Sequence, residues 1–334
     1  MNTRQKIAAT ALALGASLTA FADIKVNDNL MINGYVAGSY EYKKTKTLPA
    51  TDSLFDGTKD TPSADAALTA FNFTFKPVTA VVSLYYVPNL ATNELTVLDA
   101  YATYDVGGGL SITGGKFLSY LGYEAFHTAS MSQITYGAVT IGTLAAIPAY
   151  HSGVRLDYGD KDFSFGLALV DSVFSPNGFA KGDGEFKHNA GFEAYAKSTA
   201  IADLTLWAGV AYDTKGGFQT DSVTVLDFWA EYKVSKETTV AGEFSTKDGG
   251  DFAKGSTWLA YLNYAFSDSV SLVARISGET LTGKTAGSDF IQYTVGPSLK
   301  LNDNLTIRAE VSFYDRDNPG LDSTLYGLQG VLKF

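Results

Sequence analysis

Three histidines, no cysteine and a scatter of charged residues bound the chemistry open to this chain. His127 lies near Glu124, Ser130 and Ser132, from which a base or a metal ligand could be drawn. One imidazole with one carboxylate is, however, a thin donor set for a metal. His151 shares one face of an alternating segment with Arg155 and Asp157, whereas Ser152 points the other way, so no nucleophile meets a base there. The absence of cysteine removes thiolate chemistry. No catalytic residue, cofactor or metal ligand is assigned, and charge remains. Arg155, Arg275 and Arg308 recur on one parity of alternating segments, opposed by Asp99, Asp157, Glu193, Asp227, Glu231, Glu243 and Glu310. Lys116 and Glu124 flank the start of the longest loop and join this set. Lining a water-filled lumen with a low-dielectric wall, such residues would focus a field, and the excess of carboxylates predicts a mild cation preference. The same charges could instead solvate the wall as arginine–carboxylate pairs. Trp207 and Trp229 share the inward parity at similar depth on two strands joined by the loop 214–222. They could stack on sugar rings or other flat faces; the plainer reading is that they fill the lumen near its mouth.

Such positions need strands to hold them, and the sequence supplies strands. From Ile291, apolar Ile291, Tyr293, Val295, Leu299 and Leu301 alternate with Gln292, Thr294, Ser298 and Lys300. After Asn302-Asp303-Asn304 the alternation resumes with Leu305, Ile307, Ala309, Val311 and Phe313. Period-two alternation broken by an Asn/Asp turn is a β-hairpin with one apolar face. Each arm has about ten residues, the length a tilted strand needs to cross a bilayer. Six further short connections repeat the pattern: Lys76-Pro77, Gly107-Gly108-Gly109, Gly159-Asp160-Lys161, Ile201-Ala202-Asp203, Ser235-Lys236-Glu237 and Ser267-Asp268-Ser269. Between them lie eight longer segments, at 43–66, 88–94, 117–148, 171–187, 214–222, 247–256, 280–288 and 315–323. With both termini on the turn side, seven turns and eight loops each give sixteen strands. The expected fold is therefore all-β: a transmembrane, antiparallel, up-and-down β-barrel of about 16 strands with short periplasmic turns and long extracellular loops. A ring of that size encloses an aqueous channel.

Face assignments agree from arm to arm. Val36 and Tyr40, Phe71, Phe73 and Phe75, Leu204 and Leu206, and Trp258 and Leu262 fall outward. Asn72, Thr74, Tyr101, Thr103 and Gln292 fall inward with the charges. Phe75, Tyr104, Tyr158, Phe163, Tyr232 and Phe266 gather at the turn side as an interfacial girdle.

Composition points the same way. Among 334 residues, 33 Gly, 20 Tyr and 21 Phe favour many short strands. Beyond the leader no apolar run reaches the length of a transmembrane helix, which leaves a strand barrel open. Residues 1–22 read as a signal peptide, with Arg4 and Lys6 ahead of an apolar stretch and Ala20-Phe21-Ala22 as the cleavage site. Residues 23–334 then form a single barrel domain. Net charge is −10, and two units more negative without Arg4 and Lys6, so nucleic acid is an unsuitable partner.

The loop 117–148 stands apart. Its stretch Ile141-Gly142-Thr143-Leu144-Ala145-Ala146-Ile147-Pro148 is apolar and small, out of place in water. Folding into the lumen would bury it and constrict the pore; a tight extracellular cap or an extra strand pair would bury it otherwise. The chain ends on a strand with Tyr326, Leu328, Gly330, Leu332 and Phe334 on one face. That aromatic end resembles the signature by which the barrel-assembly machinery recognises its clients, with Phe334 as the contact.

Gly115-Lys116-Phe117, Gly122-Tyr123-Glu124, and Pro148 followed by His151-Ser152-Gly153-Val154-Arg155 resemble the central motifs of the OmpL-like β-barrel porin family. The resemblance centres on residues 98–170, and Ser130-Met131-Ser132-Gln133 stands where an asparagine/serine-rich run is expected. It implies a passive porin in the outer membrane of a Gram-negative bacterium, open to small hydrophilic solutes or ions and in contact with outer-membrane lipids. A homotrimer is compatible with a porin of this size. The alternative is a structural or adhesive outer-membrane barrel without an open channel.

Overall fold

The computed structural model describes residues 23–54, 66–86, 95–141, 144–174, 190–214, 222–250, 254–282 and 289–334. Residues 1–22, read from the sequence as a signal peptide, most of the first loop and the tips of several others lie outside the described residues.

Sixteen long strands form one closed antiparallel ring. In chain order they are β1 (Leu30–Thr45), β2 (Ala66–Phe75), β3 (Val78–Tyr86), β4 (Leu95–Gly107), β5 (Leu110–Leu118), β6 (Tyr150–Gly159), β7 (Phe163–Val170) and β8 (Gly191–Ser198). The second half comprises β9 (Leu204–Asp213), β10 (Val223–Lys233), β11 (Thr238–Asp248), β12 (Lys254–Ala265), β13 (Val270–Thr282), β14 (Phe290–Lys300), β15 (Leu305–Arg316) and β16 (Ser323–Lys333). Each pairs with its sequence neighbours, as hairpin-forming alternation dictates. β16 closes the ring on β1, from Ser323 opposite Thr45 to Lys333 opposite Tyr35. Phe334 fastens the seam: its N–H and C=O both bond Gly34, at 2.9 and 2.7 Å. Two short segments, Ile24–Asn27 and Thr51–Leu54, add pairings to β1 beyond the sixteen. All seven expected turns connect strands where the sequence places them.

Exposure alternates along the strands as the two solvents require. Leu169, Val154 and Val36 are 61, 54 and 51% exposed on the outer face, beside a girdle in which Phe75 and Phe266 reach 58 and 62%. Large apolar side chains so exposed have only lipid to meet. Their strand neighbours Ala168, Arg155 and Tyr35 point inward. Glycine makes room on the inner wall at two places. A Cβ on Gly209 would stand 2.2 Å from the Trp207 ring, and one on Gly166 would stand 2.5 Å from the Tyr195 ring. Both aromatics lie over a neighbour without a side chain.

The long loop runs from 119 to 149, since β5 extends to Leu118 and β6 begins at Tyr150. It contains a short 3-10 turn, Thr128–Ser130, and one helical turn, Ala138–Ile141.

Candidate functional site

An irregular loop carries peptide N–H groups with no ladder to join, and at membrane depth protein or lumen water must meet them. The wall supplies it. Glu193 on β8 accepts from Ser119 Oγ at 2.6 Å and from the Tyr120 N–H at 3.0 Å. Asp227 on β10 accepts the Gly122 N–H at 2.9 Å, and Glu243 on β11 the Tyr123 N–H at 2.8 Å. Three wall carboxylates thus hold the first turn of the loop. Across the barrel, Glu310 on β15 takes the Ile134 and Thr135 N–H groups at 2.6 and 3.1 Å, and Thr135 Oγ1 at 2.5 Å. Glu279 on β13 takes the Leu144 N–H at 3.1 Å.

Cations hold the carbonyl side. Arg275 on β13 donates to the Thr135 carbonyl at 2.7 Å and to Glu124 of the loop at 2.5 Å, both partners being fully buried. Glu124 also accepts from Gln133 and from the Gly137 N–H, each at 2.7 Å. Arg308 on β15 donates to the Thr128 carbonyl at 3.0 Å, and Lys247 on β11 to the carbonyls of Leu144 and Ala145 at 3.0 and 3.2 Å.

Apolar packing completes the arc. Ala129, with Phe126 against it, clusters with Tyr35, Leu68 and Tyr85 on β1, β2 and β3. Leu121 clusters with Phe117, Val170 and Tyr195. Leu144 and Ala146 meet Leu281. The loop therefore lies in the lumen, bonded to or packed on wall strands from β1 to β15.

The remaining expected residues lie elsewhere on the wall. Asp99 accepts from Ser83 Oγ at 2.6 Å. Arg155 and Asp157 form a pair at 3.3 Å beneath the loop; Tyr120 OH donates to Asp157 at 2.8 Å, and the Arg155 guanidinium sits 4.8 Å from the Phe117 ring centre. Glu231 accepts from Tyr123 OH at 2.9 Å. Trp207 and Trp229 are direct register partners, stacked at 5.8 Å with 7° between planes, and Tyr195 continues the stack at 6.1 Å from Trp207. Lys116 is a correction. Its register partners are Ala100 and Ser152, and its neighbour Phe117 is the inward one, so Lys116 starts from the outer face and turns to the Val97 carbonyl at 2.7 Å. Gly115, at φ +133° with the Ala100 carbonyl pressed against it, interrupts regular strand geometry just before it.

Neither lumen histidine meets a serine. His127 Nε2 lies 3.1 Å from Tyr150 OH within a cage of Tyr35, Tyr85 and Phe126, and burial pushes its imidazole below the ordinary range. His151 packs edge-on against Phe117 and stands 3.5 Å from Glu193. Among the described residues no cluster of three or more His, Asp or Glu is arranged to hold a metal. Sequence reasoning missed Lys247, Ser277 and Glu279. Lys247 fell inside the loop assigned from 247, whereas Ser277 and Glu279 share the inward parity of Arg275 on the same strand and were within its reach.

The family described as "Putative beta-barrel porin-2, OmpL-like" matches residues 29–327 of this sequence. The chain belongs to that porin family. No curated protein matches the porin in sequence. Solved structures share its fold. Pseudomonas putida OprB superposes with a TM-score of 0.71 at 9% identity, over 92% of this chain and 94% of its own. The anion-selective porin of Comamonas acidovorans gives 0.67 at 12%, over 91 and 99%. Salmonella typhi OmpF gives 0.66 at 14%, over 93 and 100%. The protein is an outer-membrane porin. The carboxylates from which a cation preference was expected mostly face loop N–H groups and hydroxyls rather than open solvent.

Proposed function

We propose that this porin passes small hydrophilic solutes or ions through the space its lumen loop leaves, so that the loop sets the size limit. The observation carrying the proposal is the anchoring of residues 119–149 by Glu193, Asp227 and Glu243 on one side and Arg275 and Glu310 on the other. A loop so held narrows the channel without a moving part, and wall charges left free of it bias what enters. Arg155 and Asp157 beside Tyr120, and the Tyr195–Trp207–Trp229 stack, would line the path. The chemistry of the site supports passage rather than catalysis, because its charged groups are spent on the loop backbone and on one another. Insertion guided by the Phe334 end, contact with bilayer lipids through the outer face, and residence in a Gram-negative outer membrane follow from the same reading.

Refolded protein in planar bilayers tests it. The expected result is a steady conductance, with a low size cut-off for sugars in liposome swelling. A folded protein that conducts nothing would favour the structural-barrel alternative.

A further inference from the structure

Below the loop, at the turn end of the barrel, a cavity of about 640 Å³ opens between β12, β13, β14 and β15. Met131 and Ser132 form its roof, and Asn263, Ser298, Thr306 and Arg308 stand among its walls. The rim carries both signs, Lys236 and Lys300 against Glu237 and Asp268, and Lys300 is engaged with Asp303 at 2.7 Å. The rim therefore decides nothing, and the deciding group is deeper.

The three lumen arginines differ. Arg155 has Asp157 and Arg275 has Glu124. Arg308, 4% exposed, donates through Nη1 to the Thr128 carbonyl at 3.0 Å and to Gln329 Oε1 at 3.3 Å. Among the described residues no carboxylate stands within 4.0 Å of it. Glu310 acts on it through space but is bonded to the Ile134 and Thr135 N–H groups. A buried guanidinium facing the cavity is thus left without a bonded anion, which a ligand would supply. Its planar fork matches the oxygens of a phosphate or carboxylate. Ser298, its cross-strand partner, and Asn263 hold Ser132 only by long bonds of 3.4 Å each, and with Thr306 they offer hydroxyl and amide donors to such a ligand.

We propose that this turn-side cavity is a binding site for small oxyanions, phosphate- or carboxylate-bearing hydrophilic solutes, seated on the Arg308 guanidinium. The site deepens the porin reading and rests on it for solute access. It places an anion-attracting group at the periplasmic mouth of a barrel whose carboxylates are taken up by the loop.

The test is titration of the detergent-folded protein with inorganic phosphate and with gluconate, followed by calorimetry and independent of conductance. Saturable binding of both is expected, with R308Q weakening it by about tenfold or more, the scale of a lost charge-assisted bond. Because Arg308 also holds Thr128, S298D provides a second variant: it leaves that bond in place and sets a carboxylate opposite the guanidinium. It should weaken binding as much, while K161Q, at an exposed turn of the same end, should leave it unchanged. Absence of saturable binding in the wild type, or an unaltered affinity in S298D, would overturn the site. A conducting protein that binds no phosphate would sink this inference alone, and a phosphate-binding protein that never conducts would sink the porin reading alone.

Discussion

The two faces of the same strands solve opposite problems with one alternating sequence. Outside, Val154, Leu156 and Leu167 are exposed to a solvent that asks nothing of them but apolarity. Inside, His151, Arg155 and Asp157 sit between a wall and a loop that both carry polar groups needing partners. The outer face can be written with almost any apolar residue. The inner face needs particular acceptors opposite particular N–H groups, as Glu193 and Glu310 show. Inner substitutions should therefore cost far more than outer ones of equal size.

The sharpest break of that contrast is Arg275→Met. It leaves Glu124 buried and unpaired and removes the donor to Thr135, and it should destabilise by about 3–5 kcal/mol. Urea unfolding of the protein in detergent would measure this; a loss within the range of a conservative outer-face change such as L167M would break the comparison. Glu193→Ala should cost less, about 1–3 kcal/mol, because it orphans one peptide donor and one hydroxyl rather than a charge. It should also expose the loop near Ser119 to limited proteolysis, and a loop as resistant as the wild type's would count against the anchor.

How much of this was legible in the sequence depended on periodicity. Strand number, turn positions and the directions of Arg275, Glu243 and Trp207 followed from alternation, since parity fixes the face of every residue once one is known. The Trp207–Trp229 pairing was legible too, because counting outward from a shared loop gives the register. Lys116 was misplaced although alternation puts it outside, between inward Gly115 and Phe117; it had been grouped with the lumen charges for its place beside the loop. The bonds between Glu310 and Thr135, or Glu279 and Leu144, join residues more than a hundred positions apart through a loop without periodicity. The apolar run near Leu144 hinted that the loop was buried, but nothing in it named the wall residues that would receive it.

The most direct test of the central claim, that wall carboxylates and arginines hold a loop across the channel, is single-channel conductance after replacing residues 120–146 with a short glycine–serine link. The anchored loop predicts a conductance several-fold above that of the wild type. An unchanged conductance in a correctly folded variant would show that the loop does not stand in the path.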